Sequence, residues 1–214
     1  MDVVVTLFTG TYVLILLINI CIYLGLSRSV VKKHKVVRLI GVYLLFLFLN
    51  EAFTFSLAYN RINNTFFAHT YLIGQFWFIG YIFIRYFANK IQRRIVIVYL
   101  IVSTLVLFGQ YFKDPNILLQ FNLLEALLSN YLLMLCAFFY FYNTLGSKRH
   151  FNYFFFGVLM YSLLSISIFI FGNIVRQLGY NLSMLIYDAH AILLIIYQLL
   201  ITLQWIRLNK ISKL

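Results

Sequence analysis

Acidic side chains are scarce in this 214-residue chain: five Asp or Glu stand against 17 Lys or Arg, and charged residues of both signs make up only 10%. A water-soluble domain carries about a quarter of its residues as charges, so no soluble surface can be assembled here. Proline occurs once, at Pro115, and no stretch is rich in Gly and Ser or in charge. That excludes a recognisable linker, low-complexity tract or second soluble unit, and a single domain over residues 1–214 is expected. The two cysteines, Cys21 and Cys136, sit in apolar runs with no CxxC and no ligand partner nearby, and read as small buried hydrophobes. Also missing are GxSxG, a Walker loop, GxGxxG and HExxH, which points away from an enzyme.

What is present is apolar: 64% hydrophobic residues and a mean hydropathy of +0.93. A hydrocarbon core of about 30 Å needs roughly 20 apolar residues per helical crossing. The pattern predicts an all-α, seven-helix transmembrane bundle with helices over about 3–26, 37–59, 70–88, 95–112, 117–145, 152–172 and 182–206. The fifth is longer than one crossing requires and is expected to tilt or to project near Tyr142 to Leu145. The first apolar run has no basic leader and no small-residue cleavage motif, so it is expected to be retained as a helix. No internal repeat recurs at a fixed spacing, and no Gly/Pro-broken pair of helices suggests an inverted-repeat transporter. The 23 Phe and 17 Tyr are spread through the spans as packing and as interfacial belts.

A net charge of +12 on a soluble protein would suggest nucleic acid, but the basic residues lie between apolar spans and act as topology signals, so no nucleic-acid partner is expected. Arg28, Lys32, Lys33, Lys35 and Arg38 fall in the first loop, Arg85, Lys90, Arg93 and Arg94 about the third, and Lys148 and Arg149 in the fifth. Arg207, Lys210 and Lys213 follow the last span, and only Arg61, Lys113 and Arg176 of the 17 lie on the opposite side. Because cytoplasmic loops retain Lys and Arg, this bias predicts an amino terminus outside and a carboxyl terminus in the cytoplasm. Arg85 is expected to snorkel, and His34 and His150 to sit in basic loops. Asn63-Asn64-Thr65 and Asn181-Leu182-Ser183 are formal glycosylation triplets on the outer side, meaningful only in a secretory-pathway host.

All five acidic residues, Asp2, Glu51, Asp114, Glu125 and Asp188, fall in the outer half of this layout. An ionisable group within the hydrocarbon costs a few kcal/mol or more, so Glu51, Glu125, Asp188 and His190 each require a partner or a wet cavity. Counted from the expected helix ends, Glu51, Glu125 and His190 each lie about 12 Å deep. His69 opens the third helix at the outer boundary, with Gln75 about 9 Å deeper. Asn122, Glu125 and Ser129 follow at i, i+3 and i+7 and form a polar stripe expected to face inward. Asp188 and His190 differ by about 200° around their helix, so His190 is favoured for the interior and Asp188 for the interface. Gln198 and Gln204 are placed to hydrogen-bond across the bundle.

Four readings fit this constellation. Glu51, Glu125 and His190 form a hydrogen-bonded latch between helices; or they line an outward-opening pocket for a small polar or cationic ligand, with His69, Gln75, Asn122 and Asp188 around it. Alternatively they mark a proton or ion pathway; or Glu51, Glu125, His190 and His69 hold a metal ion, the only cofactor the residues suggest. No lysine stands in the seventh span, which excludes a retinal Schiff base there.

The chain resembles a group of small seven-helix integral membrane proteins of Bacteroidota, most without assigned activity. The resembling pieces are Asn50-Glu51, His69-Thr70-Tyr71, Asn122 to Glu125, and Asp188-Ala189-His190 with Trp205. They run through nearly the whole chain, but the stretch Tyr71-Leu72-Ile73-Gly74-Gln75-Phe76 lacks the acidic residue that the group has near Gly74 or Gln75. The resemblance implies a bacterial inner membrane and leaves function open. The expectation drawn from the residues is a sensory or signal-coupling protein that binds a small polar ligand in its outer half and reports to a cytoplasmic or membrane partner. A proton-coupled permease and an intramembrane metal-dependent hydrolase are the alternatives.

Overall fold

A computed structural model describes residues 3–26, 30, 35–145, 150–175 and 180–213, with side chains described over 7–25, 30, 35–145, 150–171 and 188–211. Among these residues seven helices are long and apolar enough to cross a membrane, and the chain is an all-helical integral membrane protein. They are α1 (Val3–Ile20, continued by a wider π-helical turn, Cys21–Leu26), α2 (Val36–Tyr59), α3 (Thr65–Tyr86), α4 (Lys90–Lys113), α5 (Leu123–Asn143), α6 (Asn152–Val175) and α7 (Tyr180–Lys213). A 3₁₀ turn, Pro115–Leu119, precedes α5.

The helix ends depart from the expected ones for local reasons. α4 begins at Lys90 and not near 95, because Asn89 and Gln92 form a capping box: Asn89 Oδ1 accepts from the backbone N–H of Gln92, and Gln92 Oε1 from that of Asn89. α5 begins at Leu123 and not near 117: Pro115 forces Asp114 into extended backbone and starts a 3₁₀ turn, and Asn122 then caps the helix by accepting from Glu125 N–H. The long fifth span is thus a turn followed by an ordinary crossing that ends at Asn143, and needs no tilt or projection. α2 ends at a turn in which Arg61 adopts φ 57°, with Ile62 N–H on the Leu57 carbonyl and Arg61 N–H on that of Ala58, the two bonds of a left-handed helix cap.

Helices α1, α2, α3, α5, α6 and α7 each pack on the next, and α7 closes on α1; α4 lies outside, against α3 and α5. The outward face of α4 exposes Ile91, Val98, Ile101, Leu105, Phe108 and Phe112, and α1 exposes Leu7 and Leu14. Such a wall of exposed apolar side chains belongs in lipid, which needs no polar coat.

Tyrosines fill the middle of the ring: Tyr12, Tyr23, Tyr43, Tyr161 and Tyr197 are all at most 2% exposed. Lipid offers their hydroxyls no partner, so most find one on a facing helix. Tyr23 Oη donates to the Ile201 carbonyl at 2.8 Å, Tyr71 Oη to Tyr161 Oη at 3.1 Å, and Gln75 Nε2 to Tyr43 Oη at 3.0 Å. Asn19 Nδ2 donates to Gln198 Oε1 at 2.9 Å, and Asn19 Oδ1 accepts from the Thr202 hydroxyl, which ties α1 to α7.

Gln204 performs the same task between α7 and the start of α6. Its Oε1 accepts from Phe154 N–H at 3.2 Å and its Nε2 donates to the His150 carbonyl at 2.6 Å. The first-turn N–H groups of a helix have no intrahelical acceptor, so this side chain satisfies an otherwise orphaned donor. Gln204→Leu is therefore expected to lower unfolding free energy by about 2 kcal/mol, read as a lowered midpoint in lipid nanodiscs. An unchanged midpoint would show that the two backbone groups find other partners.

Candidate functional site

The polar residues expected to share one pocket lie at the end of the bundle formed by the 60–64 turn and the 114–122 segment. They divide into two groups. The first joins α3, α4 and α5. Because α3 starts at Thr65 rather than near 70, His69 stands one turn inside it. Because α5 starts late, Glu125 lies in its first turn, where the helix dipole favours a negative charge. These opposite shifts bring the two to one level, and His69 Nδ1 lies 2.5 Å from Glu125 Oε2.

Tyr111 of α4 donates its hydroxyl hydrogen to the same Glu125 oxygen. His69 Nε2 faces the Gln120 carbonyl at 3.0 Å. A carbonyl only accepts, so Nε2 carries a hydrogen and donates it. One further proton then lies between Nδ1 and Oε2, giving either imidazolium with carboxylate or imidazole with carboxylic acid. Both arrangements are net neutral, which lets Glu125, at 0% exposure, sit among apolar helices. This group is a latch, and it ties the backbone of the 114–122 segment to α3.

The second group lines a cavity of about 850 Å³ between α1, α2, α3 and α7. α2 contributes Asn50, Glu51 and Thr54; α3 contributes Phe67, Ala68, Tyr71 and Leu72; α7 contributes His190, Ala191 and Leu194. Thr9 and Tyr12 come from α1, Phe169 from α6, and Leu119, Gln120 and Phe121 reach in from the segment held by His69. Asn50 is occupied by the Phe67 carbonyl, at 3.1 Å from its Nδ2. Tyr12 Oη and His190 Nε2 are buried without a hydrogen-bond partner among the described residues. The His190 ring is held by Phe169 and Tyr161, with centroids 5.5 and 6.2 Å away. Glu51 is half-buried, and the single carboxylate ion-pair contact among the described residues belongs to Glu125, not to it.

Of the seven residues expected at one site, Glu51 and His190 share the cavity, and Glu125 does not line it. The expectation that Glu51, Glu125 and His190 meet is corrected by the late start of α5, which turns Glu125 toward His69 and Tyr111. The expected depth of about 12 Å for Glu125 falls for the same reason to about 3 Å from the start of α5 at Leu123. His69 belongs to the latch, and Asn122, the cap of α5, also donates from Nδ2 to Gln110 Oε1 at 3.0 Å. Gln75 is deeper, bonded to Tyr43 within the tyrosine core. Asp188 is half-buried beside the cavity without lining it, and its Oδ1 has no partner among the described residues.

Among the described residues no three His, Cys, Asp or Glu side chains gather as metal ligands, so the expected set of Glu51, Glu125, His190 and His69 does not form a metal site. The reason is the division above, with His69 and Glu125 in one cluster and Glu51 and His190 in another. Asp2, His34, Arg176 and the Asn181 triplet's side chains lie outside the described residues.

Sequence reasoning overlooked Tyr12, Tyr71, Tyr111 and Gln120. Nothing in a chain with 17 tyrosines distinguishes these, and the part Gln120 plays is carried by its backbone carbonyl, which has no sequence signature. Comparisons with protein-family models, curated proteins and solved structures gave no match.

Proposed function

We propose that this chain is a sensory or signal-coupling membrane protein that binds a small polar ligand in the cavity between α1, α2, α3 and α7. The observation that carries the reading is the cavity of about 850 Å³, whose described lining includes Glu51, a carboxylate without an ion-pair partner among the described residues; beneath it the Tyr12 Oη and His190 Nε2 atoms are buried without hydrogen-bond partners among those residues. Unpaired polar groups inside a membrane span are costly, and a ligand that satisfies them offsets the cost. In the orientation favoured by the basic loops, the cavity opens away from the cytoplasm and Arg85, Lys90, Arg93, Arg94 and Arg207 face it. The resemblance to small Bacteroidota membrane proteins supports a bacterial inner membrane.

Coupling follows from the walls. Leu119, Gln120 and Phe121 touch the cavity, and the Gln120 carbonyl is held by His69, so a ligand that displaces this segment shifts α3 against α5. The ligand would favour one packing of these helices over another, and a partner at the basic end would read the difference.

The test is a thermal-shift screen of small polar compounds on purified protein, paired with liposome flux. A compound that raises the midpoint without crossing the membrane, and whose effect is lost in Ala191→Trp, is the expected result; Ala191 lies on the cavity wall. Glu51 also favours a second reading, a proton-coupled permease, because a carboxylate without an ion-pair partner can exchange protons with a passing solute. Flux of the bound compound that falls in Glu51→Gln would replace the first reading by the second.

A further inference from the structure

We infer that the cavity takes a primary ammonium group on a small organic frame, with Glu51 as its counter-ion. This rests on the reading of the cavity as a ligand site and adds the ligand's chemistry. Among the described residues the walls of the cavity include no Lys and no Arg. Glu51 is the one carboxylate among its described lining residues, eight residues before the end of α2 at Tyr59, which places it about 12 Å inside that helix. The contrast with Glu125 is informative: Oε2 of that carboxyl meets His69 and Tyr111, although its Oε1 is buried without a partner among the described residues, whereas Glu51 has neither an ion-pair nor a hydrogen-bond partner among them. An anion held there would be repelled, and a neutral ligand would leave the carboxylate charge uncompensated.

The remaining polar atoms narrow the cation further. Tyr12 Oη and His190 Nε2, buried just beneath the lining without partners among the described residues, can each accept a hydrogen bond from a ligand that uncovers them, and Glu51 as carboxylate only accepts. An alkylammonium brings three N–H donors and no acceptor, which suits walls offering these acceptors. A quaternary ammonium would satisfy none of them. The wall also carries several aromatic rings, with Tyr71, Phe121 and Phe169 beside Tyr12, and aromatic faces attract cations while accommodating an apolar frame. A primary ammonium reaches such a site from two sources, a free amine or the ethanolamine headgroup of a lipid.

The experiment uses the full chain in phosphatidylcholine nanodiscs, with 2-phenylethylamine, 2-phenylethanol and phenylacetate as probes of one frame with three head groups. The amine is expected to bind and raise the unfolding midpoint, with the alcohol and the acid weaker by about 10- to 100-fold, the worth of a charged hydrogen bond. Glu51→Gln should weaken the amine by a similar factor, and Tyr12→Phe, which leaves the charge in place, by several-fold. Should Glu51→Gln fail to fold, Glu51→Asp and Tyr12→Phe carry the test. Nanodiscs containing phosphatidylethanolamine distinguish the sources: a raised midpoint with loss of amine binding identifies the lipid headgroup. Equal or tighter binding of the alcohol or the acid would overturn the ammonium inference and leave the ligand pocket standing. Amine binding that persists unchanged in Ala191→Trp would overturn both, since the cavity would then not be the site. No shift with any probe or lipid would overturn the ammonium inference alone.

Discussion

Glu125→Ala is expected to destabilise the folded protein by about 3–5 kcal/mol, the cost of stranding one half of a buried ion pair. Removing this side chain leaves His69 Nδ1 and the Tyr111 hydroxyl facing an apolar gap, with α3, α4 and α5 no longer joined at that level. The neutral replacement Glu125→Gln should cost less, because its amide oxygen can still accept from Tyr111. A double replacement, His69→Leu with Glu125→Leu, should fall short of the summed single losses by about 2 kcal/mol, since neither polar group is then left alone. Unfolding midpoints of His69→Leu, Glu125→Leu and the double variant in one lipid composition measure this directly. Strict additivity would mean that the two residues are not coupled, and the latch would have to be abandoned.

Gly157→Leu should cost about 2–3 kcal/mol, through overpacking where α6 and α7 form the most extensive helix pair. A Cβ at position 157 would stand 3.0 Å from Tyr197 Cδ2 and 3.4 Å from Leu200 Cβ. Tyr197 cannot retreat, because its ring stacks on Tyr161 at 5.3 Å and its hydroxyl meets Tyr43 at 3.4 Å. Small residues at membrane helix crossings permit such approach, and any side chain there pushes the backbones apart. Displacing Tyr197 also pushes on Tyr161, the neighbour of His190, so the variant should show weaker amine protection as well as a lowered midpoint. A Gly157→Leu protein with the wild-type midpoint would show that α6 and α7 approach less closely than described.

The seven spans were legible because each criterion acts locally: twenty or so apolar residues suffice to cross, whatever the neighbouring helices do. Expected and observed ends of the first two helices agree within a residue, since Val3 to Leu26 and Val36 to Tyr59 are predominantly apolar along their length. Errors arose where polar side chains close on their own backbone, at the Asn89–Gln92 capping box and at the Asp114–Pro115 turn. The six-residue error at the start of α5 then propagated, because a shift in start rotates every side chain about the helix axis and changes its depth. Glu125 was thereby credited to the cavity when it belongs to His69.

Composition and the succession of apolar runs determined that this chain is a helical bundle suited to lipid. Hydropathy and charge scarcity are sums over residues and do not depend on packing. Which polar groups meet is a property of the packed helices: facing α3, α4 and α5 gives Glu125 its partner, and the ring of α1, α2, α3 and α7 leaves Glu51, Tyr12 and His190 around a cavity without one. In a medium that supplies no hydrogen bonds, that distinction between a carboxyl paired with an imidazole and one without an ion-pair partner separates structural glue from a candidate binding site, and only the tertiary arrangement makes it.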